Sequence, residues 1–439
     1  MFRRGPYDRP ILLLAAPTFG ALVSEPVYVL TDTAIVGHLG TDHLAGLAVA
    51  AAILLSAHAL LLFLAYGTTS LVGRLVGSGD HRAAARQGVQ ALWLALGLGV
   101  ATSLVLGLWA GPLVDIFEPT SAVRDHALTY LRISLVGFTG LLVSLAGTGY
   151  LRGMQNTTTP LIVAVISALA NLVIELVLVF GLGTGIAGSA WSTTIVQLGA
   201  GVVFARVIIQ AARRNGASPL PDVAGLLASA RVGAHLVVRT AALRGSLLLA
   251  AALAARRGTG EIAAHQVGME IWSLLALALD AVAIAGQALV ARELGAGRIE
   301  PARHAGQRMI GMSIQLGALF ALLVLISRPI LPRIFSDDPS VVALTGFVLL
   351  FVAVMQPLNG LVFALDGILI GAGDLAFLAR AMVAAFAVFC TAGLVLASTA
   401  AGIGWLWAAI AGLMVLRAAP LWLRFQQGHW AVPGPDHHQ

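Results

Sequence analysis

The sequence predicts an all-α polytopic membrane protein with twelve transmembrane helices in two six-helix lobes related by an internal repeat. Three observations carry that prediction. Of 439 residues, 59% are hydrophobic and 10% charged, with a mean hydropathy of +0.91, whereas soluble domains carry about a quarter charged residues. Apolar runs of roughly 20 residues or more, enough to cross a hydrocarbon core, recur along the whole length. One constant shift, the one that carries Leu71 onto Leu289, lays "LVGRLVGSG" (71–79) on "LVARELGAG" (289–297) without a gap. A match surviving at that distance marks a duplicated unit.

The runs fall at 11–37, 44–76, 86–112, 124–151, 159–181, 186–212, 235–256, 262–294, 304–331, 341–370, 376–400 and 403–425. Several exceed the membrane thickness, which implies tilt or extension beyond it. Run 1 carries Glu25 and Asp32, seven apart and so on about one face of a helix. Pro26 between them removes a backbone bond, which makes it the expected hinge. Run 5 carries Asn171 and Glu175, four apart on one face. An amide there can serve either protonation form of the acid, and burial disfavours its charged form.

The interval 213–232, "RRNGASPLPDVAGLLASARV", is the most polar and turn-rich. It reads as a cytoplasmic linker between an N-lobe (1–212) and a C-lobe (233–426), with a cytoplasmic tail at 427–439. Run 7 opens with Arg239 and Arg244. Arg239 is placed to snorkel to the interface, and Arg244 lies deep enough to need an acidic partner, Asp280 or Asp366. Run 8 shows Gln266, Ser273, Asp280 and Gln287 at strict seven-residue spacing, with Glu270 a turn from Gln266. Run 10 adds Gln356, Asn359 and Asp366. Such stripes line a water-filled cavity, where they meet substrate, or cement helix contacts.

The repeat separates scaffold from candidate site. Gly149, Leu151 and Gly153 fall on Gly367, Leu369 and Gly371, and Ile116-Phe117 on Ile334-Phe335. The acids do not repeat: Asp32 falls on Ala250, Glu175 near Gly393, Asp280 on Leu62 and Asp366 on Thr148. An ionisable group inside a membrane is costly and marks a functional site by default, so the unmatched acids are the candidates. The repeat implies two bundles in parallel arrangement, with substrate sites between or within the halves.

All 26 basic residues are Arg, against 20 acids, giving a net charge of +6 and an isoelectric point near 10.4. The arginines concentrate in segments that lie on one side if the N-terminus is inside: Arg3, Arg4, Arg9, Arg74, Arg82, Arg86, Arg152, Arg213, Arg214 and Arg292 among them. This places both termini in the cytoplasm. The basic excess then anchors loops, and no nucleic-acid partner is expected. A lone Cys390 excludes an internal disulfide. Run 1 continues past signal-peptide length without a small-residue cleavage site, so no cleavable signal is expected. There is no Walker A motif, no metal-ligand spacing and no nucleophile elbow, so no enzyme, cofactor or metal is expected.

The stretches "EPVYVLTDTAIVGHLG" (25–40), "GYLRGMQNTTTP" (149–160), "NLVIELVLVFGLGTGIAGSAWST" (171–193) and "LALDAVAIAGQALVARELGAG" (277–297) resemble the multidrug and toxic compound extrusion family, most closely its DinF-type branch. The resemblance spans essentially the whole chain. It implies a secondary antiporter of the bacterial cytoplasmic membrane that exports small organic, often cationic or amphipathic compounds against an inward H⁺ or Na⁺ flow, working as a monomer among membrane lipids. It implies that Asp32 is a principal coupling residue, that Asn171 and Glu175 belong to the N-lobe cavity and, more weakly, that Asn156 does; Glu25, sharing a helix face with Asp32, is assigned to the same cavity. Glu175 departs from the Asp common at that position. The absence of Asp and Glu from 235–256 favours H⁺ over Na⁺. The neighbouring alternatives are Na⁺-coupled antiport and a lipid-linked oligosaccharide flippase of the same superfamily. An intramembrane enzyme, the other class, would need catalytic groups clustered at one depth.

Overall fold

The structure, a computed structural model, describes residues 5–397 and 402–435 (the Leu396 side chain excepted). Among them are twelve helices long and apolar enough to span a membrane: α1 (Asp8–Gly37), α2 (Thr41–Gly77), α3 (His81–Leu108), α4 (Ser121–Gly153), α5 (Thr158–Gly181), α6 (Ile186–Arg214), α7 (Val223–Ala255), α8 (Thr259–Gly295), α9 (Ile299–Ser327), α10 (Pro339–Ala372), α11 (Leu375–Val395) and α12 (Ile403–Gln427). The protein is therefore an all-α, multi-pass membrane protein.

The chain packs as two compact units, one Gly20–Gly233, the other Met1–Phe19 with Ala234–Gln439. In the first, α4 is the central helix and packs on α2, α3 and α6; in the second, α10 packs on α8, α9 and α12. The repeat survives as geometry. The shift that carries Leu71 onto Leu289 also carries both ends of α2 onto the ends of α8. Gly40 and Gly258, preceding these two helices, both hold φ near +130°, a backbone that glycine adopts without strain.

Helix contacts repeat too. A Cβ on Gly149 would come within 2.5 Å of the Ala65 carbonyl oxygen, and one on Gly367 would strike that of Ala283. Gly99 meets Thr139 as Gly317 meets Gln356 and Pro357. Small residues let spanning helices approach closely where lipid supplies no hydrophobic drive. These positions hold the α2–α4 and α3–α4 packing in the same register as that of α8–α10 and α9–α10.

Most boundaries shift by a few residues, and three of the differences are instructive. Helix α3 starts five residues earlier than 86, because the Asp80 side chain accepts from the Ala83 N–H at 2.8 Å and caps it. The run to 112 is broken at Trp109, and Ala110–Asp115 forms a separate short helix. Helix α7 starts at Val223, inside the segment read as a linker. Asp222 Oδ2 accepts from the Gly225 N–H at 3.3 Å, and its carbonyl accepts from Leu226 at 2.9 Å. This first part of α7 is tied to α3 by Arg86–Asp222 (2.9 Å) and Gln87–Ser229 (2.9 Å). Its polarity is that of a helix extending past the apolar zone, which reads as a linker in composition alone.

Candidate functional site

In the first unit, α1, α2, α4, α5 and α6 enclose a cavity of about 380 Å³. Much of its wall is apolar, from Leu47, Leu54, Phe138, Leu141, Leu145 and Phe204; Asp32, Tyr28, Tyr130 and Thr193 form a polar patch on it. That combination is the usual make-up of a small-molecule site.

Asp32 is buried, at 5% exposure. Its Oδ1 accepts from the Ser189 hydroxyl, and its Oδ2 accepts from the Tyr130 hydroxyl at 3.2 Å. Helices α4 and α6 thus both clamp a carboxylate carried by α1. One turn away, the Tyr28 hydroxyl donates to Thr193 Oγ1 at 2.5 Å. Helical spacing explains the pairing: Tyr28 and Asp32 are i,i+4 on α1, as Ser189 and Thr193 are on α6.

Behind this wall sit Asn171 and Glu175, at 1% and 0% exposure. The Glu175 carboxyl lies beside that of Asp32 and the Ser189 hydroxyl, while its Oε1 has no hydrogen-bond partner. With the Asn171 amide turned so that both its ends are satisfied, its nitrogen donates to Glu175 Oε2 at 3.3 Å and its oxygen accepts from Ser192 Oγ and the Thr193 N–H at 3.0 and 3.2 Å. An unbroken set of hydroxyl, carboxyl and amide groups therefore runs from the cavity wall to the core. Just beyond, α5 widens into a π turn at Val177–Gly181, a departure that often attends functional sites.

Glu25 lines the mouth of the same cavity, 57% exposed, with His58 Nε2 at 4.0 Å. Pro26 adjoins it, and α1 runs as one unbroken helix from Asp8 to Gly37 through it. Asn156 does not line the cavity. It lies in the turn before α5, where its Oδ1 accepts from the Thr159 N–H at 3.0 Å and its amide donates to Thr159 Oγ1 at 2.9 Å. It is a helix cap, a role that Asn takes because its short side chain reaches the orphan N–H groups of a first turn.

The second unit corrects the arginine assignment. Asp366 Oδ2 accepts from Arg239 Nη2 at 2.5 Å and from Arg417 Nη2 at 2.8 Å. Arg244 is exposed instead. Arg239 lies within α7, two turns beyond Arg231, and turns to Asp366 rather than toward the helix end. The stripe on α8 is not uniform: Gln266 is exposed and donates to Glu270 Oε1 at 3.0 Å, Asp280 is half-buried, and Gln287 is 1% exposed. Seven-residue spacing drifts on a straight helix, so one stripe meets lipid, neighbour and core in turn. Among the described residues, no three His, Cys, Asp or Glu side chains are placed to hold a metal.

The sequence missed Tyr28, Tyr130, Ser189 and Thr193 as partners of the acid. Hydroxyls in such helices commonly return to their own backbone. Thr31 and Thr33, flanking Asp32, do so, bonding to the carbonyls of Val27 and Val29. Only the i,i+4 match of Tyr28 with Asp32 and of Ser189 with Thr193 hinted at a cross-helix set.

Twelve spanning helices in two repeated units, with a buried acid in the wall of an apolar cavity, define a polytopic membrane transporter. The chain belongs to the MatE family, the multidrug and toxic compound extrusion transporters, whose model matches residues 17–177 and again 237–396. It is 32% identical over 446 residues to the chloroplastic protein DETOXIFICATION 44 of Arabidopsis thaliana, covering 98% of this chain and 84% of that one. To the DNA damage-inducible protein F of Escherichia coli it is 29% identical over 447 residues, covering 96% and 94%. The fold matches the Vibrio cholerae MATE transporter VcmN in its bent form, with a TM-score of 0.87 at 19% identity over 96% of each chain.

Proposed function

We propose that this protein is a proton-coupled antiporter of a bacterial cytoplasmic membrane, with both termini cytoplasmic, that exports small cationic or amphipathic organic compounds as a monomer. The observation that carries this reading is the placement of Asp32: buried in the cavity wall, hydrogen-bonded by two hydroxyls and backed by Glu175. Two carboxyls side by side in an apolar setting repel when both are charged, and a proton held between them relieves that repulsion.

In the cycle we infer, a proton arriving from outside neutralises Asp32, removes the attraction for a cation in the cavity, and releases the substrate. Helix α1 bends about Pro26 as the hydroxyl clamp lets go. Reorientation returns the proton to the cytoplasm, and the carboxylate again attracts cargo. Only a difference in affinity between two states drives the exchange. Where a cycle moves one net charge, as when a neutral amphipathic cargo leaves for one proton, 100 mV supplies about 2.3 kcal/mol, which sustains a substrate gradient of about fortyfold at about 1.4 kcal/mol per decade; a monovalent cation exchanged for one proton is driven by the pH gradient alone. The hydrogen bonds to Asp32 favour H⁺ over Na⁺ in this reading. A hydroxyl already donates to each Asp32 oxygen, which suits a proton-sharing site better than a cage of free oxygen ligands.

The test is efflux of a fluorescent cationic dye from liposomes under an imposed pH gradient, with and without Na⁺. Proton-driven efflux that is lost in Asp32→Asn and uncoupled from pH in Glu175→Gln supports the reading. Sodium-driven efflux would keep the antiporter and overturn the ion. An inactive wild type with intact fold would turn attention to lipid-linked substrates.

A further inference from the structure

The repeat relates the cavity wall of the first unit to packed core in the second. In the shared register of α4 and α10, cavity-lining Phe138, Leu141 and Thr148 correspond to Gln356, Asn359 and Asp366. On α2 and α8, lining Leu47 and Leu54 correspond to His265 and Trp272. At four of these positions, Leu47, Leu54, Phe138 and Leu141, an apolar residue in one unit is matched by a hydrogen-bonding one in the other.

Asp366 is paired, but the other groups are buried with polar atoms left bare. Gln356 and Asn359 are 0% exposed, and the nitrogen and oxygen of both carboxamides have no partner. The same holds for His265 Nδ1 and the indole nitrogens of Trp272 and Trp407. Buried polar groups are nearly always hydrogen-bonded, and leaving them bare is costly. The scaffold does not require them: the first unit makes the equivalent close approaches, Gly99 on Thr139 and Gly149 on Ala65, while Phe138 and Leu141 stand at the register positions of the two amides.

In this structure the region is packed core, held by two sets of contacts. Arg239 and Arg417 both bond Asp366, drawing α7 and α12 onto α10. Trp407 and Val348, counterparts of Ser189 and Tyr130, pack together on Gly268. Their counterparts hold Asp32, whereas Ala250 stands at that acid's place. The second unit therefore lacks the carboxyl site and carries an amide-lined wall instead.

We propose that residues 234–439 hold a second ligand-binding cavity, closed in this state by the Arg239–Asp366–Arg417 clasp, which takes planar organic compounds presenting a donor and an acceptor side by side, as an amide, imide or lactam edge does. A carboxamide offers both a donor and an acceptor and pairs with such an edge through two hydrogen bonds. Trp272 and Trp407 supply flat faces against which a planar ring stacks. The proposal goes beyond proton coupling at Asp32 and stands independently of it.

The experiment is a binding titration of riboflavin, which has an imide edge and its own fluorescence, on the full protein in lipid nanodiscs, with melting curves alongside. Wild type is compared with Asn359→Leu and Gln356→Phe, which install the first unit's residues, and with Asp366→Asn and Arg417→Met, which open the clasp. Saturable binding, strengthened by opening the clasp and weakened about tenfold or more by Asn359→Leu, is expected, with the melting temperature of Asn359→Leu unchanged or raised. Binding that ignores both wall substitutions, or no binding in either folded clasp variant, would overturn the proposal. So would a marked drop in the melting temperature of Asn359→Leu, since the carboxamide would then be structural. Asp32→Asn retains riboflavin binding, which separates this site from the failure or success of proton coupling.

Discussion

The Ser189 hydroxyl donates a hydrogen bond to Asp32 across 157 residues of chain. It fixes the acid of α1 against α6, while Tyr130 fixes it against α4 at 3.2 Å. The acid's environment is thus made by three helices, and its two donors are removable one at a time. Tyr130→Phe deletes one oxygen and keeps the ring. Hydrogen bonds to charged groups contribute about 1.5 to 3 kcal/mol each, so each of Ser189→Ala and Tyr130→Phe should cost in that range. The double variant should depart from additivity, because both act on one carboxylate. Denaturant or thermal melts in a fixed detergent measure this, and two silent single variants would show the bonds to be absent.

Gly149 and Gly97 give opposite outcomes for one added methyl group. At Gly149 the Cβ runs into the Ala65 carbonyl, which is backbone and has nowhere to go; Gly149→Ala should cost about 1 to 3 kcal/mol, the usual range for overpacking. At Gly97, within α3, nothing lies within 4 Å, and Gly97→Ala should stabilise by about 0.5 to 1 kcal/mol through helix propensity. Melting temperatures of the pair, moving in opposite directions, would check the packing register of α2 on α4.

Asp366 serves two guanidiniums, so its loss should exceed the loss of either partner. Breaking a buried pair typically costs about 3 to 5 kcal/mol. Asp366→Asn should fall at or beyond the upper end, and Arg417→Met nearer the lower, since the latter leaves Arg239 with the carboxylate. Melting curves of the two variants measure the difference, and equal effects would argue that only one of the two ion pairs forms in the membrane.

At the start of α10, Asp338 accepts from the Ser340 N–H at 2.8 Å and from its hydroxyl at 2.7 Å. These bonds hold its carboxyl below the usual carboxylate range. A depressed value in the folded state means that the cap's contribution is complete above the unfolded value, about pH 4, and is lost as pH falls through the folded one. Amide exchange at Ser340 and Val342, corrected for intrinsic rate, should accelerate below about pH 4 in the wild type. In Asp338→Asn, which caps without titrating, it should not.

Class, helix number, the duplication and the identity of the unmatched acids were all legible in the sequence by itself. Hydropathy and one constant shift between the halves are properties of the chain read one residue at a time, and the cost of burying charge singles out Asp32 and Glu175 whatever surrounds them. Helix ends were less legible, because a cap such as Asp222 looks like any loop aspartate until its N–H partners are in place.

Which groups meet was decided by the tertiary structure alone. Ser189 and Tyr130 reach Asp32 while Thr31 and Thr33 turn back to their own carbonyls, and Asp366 meets Arg239 and Arg417 while Arg244 stays exposed. Asn156 likewise left the cavity for a helix cap. The physical reason is rotational. Periodicity gives the face a residue shares with its own helix, but the direction in which that face points depends on the crossing of neighbouring helices. Here that crossing is set by close approaches such as Gly149 on Ala65, which no single segment encodes.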